Sequence, residues 1–217
     1  MKRIILILVC LCFCSIGNAQ VSFGPEAGGL FSNYIQKLNG EVLATKARLG
    51  LHIGGIVDYK FSNALSLQSG VLYVMNGYKL DYFFSNNIIN VNTIEVPLSL
   101  IYKTGHPGKD RFFVGAGPYY ALNLGGTKKE TGNGTSSTTT FSAGNDGDND
   151  GIKRNDFGLG LNVGYELTTG LYFRVHYQLG FVNLLPAGDA DNSGYNRNYG
   201  FSVGYLFTIK SKSNKKS

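Results

Sequence analysis

The chain has 217 residues and a formal net charge of +6, with 30 glycines, 14 tyrosines, 14 phenylalanines and no tryptophan. Its length corresponds to a single domain, and after Gln20 it contains no apolar stretch of the roughly 20 residues that a transmembrane helix requires. Part of the charge lies at the two ends, in Lys2–Arg3 and in the tail 210–217, which favours solvated termini over a nucleic-acid-binding surface.

The N-terminal segment is typical of a cleaved signal peptide. Lys2–Arg3 precede an uncharged apolar run at 4–16, and residues 17–19 (Gly-Asn-Ala) supply small side chains at the cleavage position. All three cysteines lie in this segment, so the mature chain has no thiol and no disulfide. The sequence therefore predicts a signal peptide at 1–19 and a mature chain that begins at Gln20.

The mature chain alternates apolar and polar residues, which predicts β-strands. Between Leu171 and Val182, for example, Arg174, His176 and Gln178 share one face and the apolar residues share the other. Each predicted strand is long enough to cross a bilayer, since a tilted strand needs about 9–11 residues. The eight predicted strands are 21–32, 48–60, 64–76, 92–103, 111–123, 157–167, 171–182 and 198–208.

The predicted connections alternate in length. Bacterial outer-membrane barrels have an even number of strands, short periplasmic turns and long outer loops. The pattern therefore predicts an all-β fold, an eight-stranded antiparallel up-and-down transmembrane β-barrel at 20–209, followed by a basic periplasmic tail at 210–217. The long connections are 33–47, 77–91, 124–153 and 183–197, and the short ones are 62–63, 104–110 and 169–170.

The polar face of the strands indicates which side is the interior. A soluble secreted eight-stranded barrel is the main alternative. Here, however, the polar face alternates glycine with long polar side chains, and glycine would weaken an exposed strand. The interior of an eight-stranded barrel is only wide enough for side chains to fill it. We therefore expect the polar face to line the lumen and the apolar face to contact lipid.

Aromatic residues of the apolar face fall near the two ends of the predicted strands, as expected for girdles at the two lipid–water interfaces. The periplasmic rim is predicted to contain Phe23, Tyr59, Tyr102, Phe112, Tyr165, Phe173 and Phe207, and the outer rim Phe31, Tyr73, Tyr120, Phe157, Phe181 and Tyr199.

Charged groups in the lumen need partners, because an unpaired buried charge is costly. The simplest hairpin through 169–171 places Glu166 opposite Arg174, so these two residues are predicted to form an ion pair. The predicted lumen polar network comprises Glu26, His52, Glu95, Glu166, Arg174 and His176.

Three segments resemble the PorT-like outer-membrane β-barrel family of the Bacteroidota. They are residues 23–29 (FGPEAGG), residues 93–100 (TIEVPLSL), which resemble an "E-(I/V)-P-L" strand, and residues 113–119 (FVGAGPY), which resemble a "G-x-G-P-Y" strand. The resemblance extends over nearly all of the mature chain. It implies an outer-membrane location, and the founding activity of the family makes an accessory role in protein secretion one alternative for this chain.

Two segments of the long third connection are candidates for binding. The D-x-D-x-D-G start of a calcium loop is matched by Asp146, Asp148 and Asp150, but Phe157 stands where the bidentate Glu is expected. We interpret 144–151 as an acidic surface loop, and a weak Ca²⁺ site is the alternative. Ca²⁺ is the one cofactor candidate that the sequence offers. Thr127 to Ala143 is rich in Gly, Ser and Thr and is predicted to be a mobile loop without a packed core, with a partner protein or a surface polysaccharide as candidate ligands.

No pattern in the sequence predicts catalysis. His52 and His176 fall on the lumen face and His106 lies in a short turn, which are ordinary structural positions. We therefore predict a non-enzymatic barrel with a structural or interaction role, in which the long outer loops are the contact surface. The alternatives are an accessory of secretion, a small lipid-modifying enzyme and a narrow channel. The expected partners are outer-membrane lipid, the barrel-assembly machinery and an extracellular or secretion-system protein.

Overall fold

The computed structural model describes residues 20–43, 45–81, 85–132, 135–144, 146 and 150–208. The predicted signal peptide at 1–19, the basic tail at 210–217 and Asp148 lie outside these residues. In the part of the chain that the structure describes, no helix has the length and apolar character needed to cross a membrane.

All strands of the described residues belong to one twelve-stranded sheet. In chain order they are β1 (Gln20–Leu38), β2 (Glu41–Leu43), β3 (Lys46–Lys60), β4 (Leu65–Asp81), β5 (Ser85–Lys103), β6 (Arg111–Gly132), β7 (Thr135–Ala143), β8 (Asp150–Ile152), β9 (Asn155–Glu166), β10 (Leu171–Gly180), β11 (Ser193–Tyr205) and β12 (Phe207–Thr208).

Eight of these strands close the barrel. The ring runs β1-β3-β4-β5-β6-β9-β10-β11, and β11 pairs with β1 to complete it. Each pairing in the ring is antiparallel and joins strands that follow one another around the barrel. The predicted eight-stranded up-and-down barrel is confirmed. The remaining strands are short additions: β2 and β12 pair with β1, β7 pairs with the far part of β6, and β8 pairs with β7.

The barrel is apolar outside and polar inside, as predicted. On the outer wall, Ile53 and Val175 leave 62% and 65% of their surface exposed, whereas in the lumen Glu26 and Glu95 leave 3% and 4%. In water such an outer surface would be unfavourable, but acyl chains can cover it without unpairing any backbone group, since a closed ring has no free edge. The alternation of apolar and polar residues along each strand therefore gives a barrel with an apolar outer wall and a polar lumen.

Aromatic rings of the outer wall pair within the predicted rims. Phe23 lies 6.0 Å from Phe207 and Phe112 lies 4.7 Å from Tyr165, between centroids, near the short turns. At the other end, Phe31 stacks on Tyr199 at 5.3 Å and Phe157 lies 6.2 Å from Phe181. Each pair joins two strands at one level of the barrel, which is the arrangement that a girdle requires.

The two ends of the barrel differ in length. The short-turn end carries the turns 61–64, 104–110 and 167–170. At the opposite end, named here the extended end, β1 and β5 reach 19 residues and β6 reaches 22, well beyond the span that a bilayer needs. Most of the predicted loops 33–47, 77–91 and 124–153 are therefore strand, and that part of the prediction is wrong. Outside lipid both faces of a strand can be polar, so the alternation that identified the strands is lost there.

The stretch from Thr127 to Ala143 is also not the coreless loop that its composition predicted. Residues 125–132 pair with β5 on one side and with β7 on the other. Ala143 is buried, with Phe141 packed beside it, in an apolar cluster that also contains Tyr34, Ile89, Val91, Ile152 and Leu184. The Ser and Thr residues of this stretch form a β-hairpin because β5 pairs with β6 beside it, and composition alone does not reveal that pairing.

A β-bulge in β6 determines which residues face inward at the extended end. Asn123 pairs with Thr93 and Gly125 with Asn92, so Leu124 is an extra residue, and Gly125 has a φ of +121° that suits glycine. One extra residue exchanges the two faces of the strand beyond it. Lys128, which pairs with buried Ile89, consequently faces inward.

Candidate functional site

Four charged side chains form a chain at the short-turn end of the lumen. Lys103 Nζ lies 3.0 Å from Asp58 Oδ2 and 2.7 Å from Glu166 Oε2, and Arg111 Nη2 lies 3.2 Å from Glu166 Oε1. Arg111 Nη1 also donates a hydrogen bond of 2.9 Å to the carbonyl oxygen of Asn63 in a turn. Two cations alternate with two anions, so each buried charge has an opposite charge beside it.

A second network crosses the middle of the lumen around Arg174. Its Nη1 lies 3.2 Å from Glu26 Oε2, which also accepts a 2.6 Å hydrogen bond from Tyr172 Oη. Arg174 donates a further hydrogen bond to Gln68, and its guanidinium carbon lies 5.2 Å from the ring centroid of Tyr172 and 5.8 Å from that of Phe113. Planar, delocalised arginine suits this combination of ion pairing and ring stacking.

The predicted Glu166–Arg174 ion pair is wrong. Tyr172 lies opposite Glu166, and Arg174 lies opposite Gly164. The cause is the turn: Leu167 N–H donates to Leu171 O at 2.7 Å, and Gly170 N–H donates to Leu167 O at 2.9 Å with a φ of +95° at Gly170. This is a three-residue turn ending in a glycine bulge, and it shifts the register by two residues. Gly170, at the third position of the turn, was the sequence signal for this register.

The lumen histidines lie together but lack the geometry of a hydrolytic triad. Their ring centroids, in His52 and His176, are 5.4 Å apart. His52 Nε2 lies 3.0 Å from Ser202 Oγ and 3.8 Å from Glu26 Oε1, so the same nitrogen faces both groups. In a triad the carboxylate orients the other ring nitrogen, and the serine is accessible, whereas Ser202 is buried. His106 is exposed in the turn 104–110.

The open space in the membrane-spanning lumen is small. Gln178 Nε2 donates a 2.7 Å hydrogen bond to Glu95 Oε1, and Asn198 Nδ2 donates to Gln178 Oε1 at 3.2 Å. A cavity of about 50 Å³ remains, large enough for a few water molecules. It is lined by five of the six predicted network residues, Glu26, His52, Glu95, Arg174 and His176. The sixth, Glu166, belongs to the chain of charges at the short-turn end.

The predicted network omitted several residues that hold it together. Lys103 and Arg111 flank the turn 104–110, and Tyr172 supplies the hydroxyl on Glu26. Lys103 has the same parity along β5 as Glu95, so strict alternation already placed it in the lumen. What the sequence could not supply was the distance across the barrel between strands that are not neighbours.

The extended end opens into a wider depression of about 450 Å³, which we name the cup. Its walls come from β1, β4, β5, β6, β7 and β8, and the apolar cluster around Ile89 and Phe141 packs at this end of the barrel. The cup is lined by Gln36, Tyr78, Leu80, Asn87, Ile89, Lys128, Glu130, Thr139, Phe141 and Gly151.

The acidic segment after β7 bonds to its own backbone. Asp146 N–H donates to Asp150 Oδ2 at 2.8 Å, and Asp150 N–H donates to the carbonyl oxygen of Asp146 at 2.8 Å. One oxygen of the Asp150 carboxylate thus already accepts a hydrogen bond from the backbone. Asp148 lies outside the described residues, and within them no group of three His, Cys, Asp or Glu side chains is arranged to hold a metal ion.

A closed eight-stranded barrel with an apolar wall and an ion-paired lumen is the architecture of a small outer-membrane barrel. Residues 18–186 match the family described as "Outer membrane protein beta-barrel domain". The chain belongs to this family, and the outer membrane is therefore where it resides.

Similar solved structures have low sequence identity to the chain. The attachment invasion locus protein Ail of Yersinia pestis is 11% identical with a TM-score of 0.43, over 86% of this chain and 98% of Ail. OprG of Pseudomonas aeruginosa is 11% identical with a TM-score of 0.48, over 89% of this chain and 96% of OprG. Neisserial surface protein A is 16% identical with a TM-score of 0.47, over 86% of this chain and 99% of that protein. None of the curated proteins matches the chain.

Proposed function

We propose that this outer-membrane barrel is a non-conducting interaction protein whose extended end faces the outside of the cell and forms the contact surface. The observation that carries the proposal is the contrast between the two parts of its interior. The membrane-spanning lumen leaves about 50 Å³ open, whereas the cup leaves about 450 Å³. A depression of about 450 Å³ also lies at the short-turn end, so the volume alone does not select the cup. The projecting strands of the extended end, such as β6 with its 22 residues, make that end the more suitable contact surface.

The β6–β7 hairpin gives this surface its character. Residues 135–140 of β7 are Thr and Ser, and all of their side chains are exposed. Short hydroxyl side chains on a paired backbone present hydrogen-bonding groups at a low cost in conformational entropy. Long outer strands and short periplasmic turns are the usual arrangement in bacterial barrels, which supports the assignment of the extended end to the cell exterior.

The role can be tested by shortening the hairpin while keeping the ring. Replacing residues 127–140 by Asn-Gly lets Gly126 and Phe141, which pair in the native hairpin, flank a two-residue turn. In a strain lacking the gene, this variant is expected to restore resistance to detergent but not attachment to other cells or to polysaccharide. Thr138→Ala is the matched control and should restore both. Full restoration of attachment by the shortened protein would contradict the proposal.

Conductance provides an independent test. Wild-type protein in a planar bilayer is expected to give no steady current, because its lumen is occupied by paired side chains. Steady single-channel currents would instead favour the narrow channel. A deletion strain that attaches normally but retains secreted cargo would favour the accessory role in secretion.

We also propose export by cleavage after Ala19, a boundary of the barrel at residue 209, and membership of the PorT-like group of the Bacteroidota. The motifs at 93–100 and 113–119 support the last assignment. Terminal sequencing of the mature protein should begin at Gln20. The barrel-assembly machinery and outer-membrane lipid are the expected partners during insertion.

The calcium alternative and the absence of enzyme activity remain predictions. Calorimetry with millimolar Ca²⁺ tests Asp146, Asp148 and Asp150 together, and heat that disappears in Asp148→Asn would establish the site. Substituting His176 and finding an altered lipid composition in the outer membrane would establish the enzymatic alternative.

A further inference from the structure

The walls of the cup combine apolar ring surfaces with amide side chains. Tyr78 and Phe141 are half-buried, and Leu80 and Ile89 extend the apolar surface between them. Phe141 pairs with Gly126 and Thr139 with Lys128, so the inward face of β7 continues the inward face that the bulge gives to β6. Such a mixture of ring faces and a few convergent polar groups is typical of small-molecule sites.

The side-chain carbonyl oxygens of two amides of the cup have no partner within the described residues. Gln36 Oε1 and Asn87 Oδ1 are buried and accept no hydrogen bond, and Asn87 leaves only 8% of its surface exposed. The hydroxyl of Tyr34, whose ring stacks on Tyr78 at 4.7 Å, is likewise unpartnered. A buried polar group without a partner destabilises the fold. Both amide side chains line the cup, so a rotation about the last side-chain torsion would bring these oxygens to a ligand bound there.

The charges of the cup cancel. Lys128 Nζ lies 2.6 Å from Glu130 Oε1, and their side chains are 45% and 51% exposed. These are the only two charged residues among those that line the cup in the described part of the chain. A strongly anionic or cationic ligand would have to break this pair, whereas a neutral polar ligand can bind to the ammonium and the carboxylate together.

We propose that the cup binds a neutral saccharide of one or two sugar units. Sugar hydroxyls both donate and accept, so they satisfy the amides of Gln36 and Asn87 and can bridge Lys128 and Glu130. The C–H face of a pyranose ring is apolar and packs against Tyr78 and Phe141. A volume of about 450 Å³ lies in the usual range for a small ligand. The inference deepens the proposed function, since it rests on the extended end being the contact surface.

The test uses the full mature chain in detergent micelles and ligand-detected saturation-transfer NMR. The probes are maltose and N,N′-diacetylchitobiose, which are neutral, with a heparin disaccharide and a Ser/Thr-rich peptide as competing classes. Wild type is expected to transfer saturation to at least one neutral disaccharide. Failure with both neutral sugars, or binding of the sulfated sugar or the peptide alone, would overturn the proposal.

Two neighbouring lysines provide a matched pair of variants. Lys128 lines the cup, whereas Lys129 is exposed on the opposite face of β6. Lys128→Met is expected to weaken binding roughly 10-fold, the usual effect of losing one hydrogen bond to a charged group, and Lys129→Met to leave binding unchanged. Equal losses from both variants would place the sugar outside the cup.

Asn87→Leu separates a binding role from a structural one. Since Asn87 Oδ1 has no partner in the described part of the chain, its removal is expected to leave thermal stability unchanged or raised while abolishing sugar binding. Retained sugar binding in folded Asn87→Leu would contradict the assignment. If no sugar binds but the shortened hairpin still abolishes attachment, the proposed function stands and only the ligand class fails.

Discussion

Lys103 and Lys128 both face the inside of the barrel next to glutamates, but in different surroundings. Lys103 is almost fully buried at the short-turn end and contacts two carboxylates, Asp58 and Glu166. Lys128 at the extended end is about half exposed and lies 2.6 Å from Glu130, in the same cup as the unpartnered Asn87 Oδ1. Buried charges that are fully paired hold the lumen together. A half-exposed pair in the same cup as an unpartnered amide oxygen can still form hydrogen bonds with a ligand. In the proposed function, stability and binding therefore fall to opposite ends of one barrel.

The sharpest test of this contrast removes one lysine at a time. Lys103→Met leaves Asp58 buried without a cation and is expected to lower the free energy of unfolding by about 3–5 kcal/mol. Lys128→Met breaks an exposed pair and should cost less than about 1 kcal/mol. Urea titration of the barrel in lipid vesicles, followed by heat-modifiable gel mobility, measures both. Similar losses from the two variants would remove the distinction between the ends.

A double-mutant cycle tests the pairing of Arg174 in the middle of the lumen. Arg174→Met and Glu26→Gln should show a coupling free energy of about 1–3 kcal/mol, because the two side chains are in contact at 3.2 Å. The cycle between Arg174 and Glu166 should give less than about 0.5 kcal/mol, since Glu166 pairs with Lys103 and Arg111 instead. A larger coupling free energy for Arg174–Glu166 than for Arg174–Glu26 would instead support the register in which Glu166 lies opposite Arg174.

Two glycines of β9 test how tightly the lumen is filled. A Cβ on Gly164 would lie 2.2 Å from Phe113 Cζ and 2.3 Å from the carbonyl oxygen of Phe173, whereas one on Gly160 would meet nothing closer than 3.6 Å. Gly164→Ala is therefore expected to cost about 1–3 kcal/mol. Gly160→Ala should stay within about 0.5 kcal/mol of wild type in the same urea titration. A tolerated Gly164→Ala would mean that the lumen is looser than described.

The smallest expected effect is a pH dependence at the short-turn end. Hydrogen bonds from the hydroxyl and the backbone N–H of Thr168, at 2.7 and 2.8 Å, hold the pKa of Asp110 below its ordinary value. A lowered pKa in the folded state means that ionised Asp110 stabilises the fold above about pH 4 and that this contribution disappears as the pH falls further. The stability difference between wild type and Asp110→Asn should therefore shrink from pH 6 to pH 3. A difference that is constant with pH would contradict this role.

The sequence predicted some regions better than others because its signals are local. Within the lipid-facing band, the two environments of each strand differ strongly, so Arg174 and Phe173 could be assigned to opposite faces from their order alone. Beyond the band that contrast disappears, and Thr127 to Ala143 seemed to be a loop although it pairs as a hairpin. The register at Gly170 was predictable in principle, because a glycine at the third turn position favours a three-residue turn.

By itself, the sequence determined the eight strands of the ring, their lipid-facing side chains and their closed antiparallel pairing, since a period of two is a property of neighbours along the chain. Only the tertiary structure decided that Arg174 of β10 meets Glu26 of β1 and that Lys103 of β5 joins Asp58 of β3 to Glu166 of β9. It also decided that the bulge at Leu124 turns Lys128 into the cup. These contacts depend on the stagger of all eight strands around the closed ring, and that stagger is a property of the whole barrel.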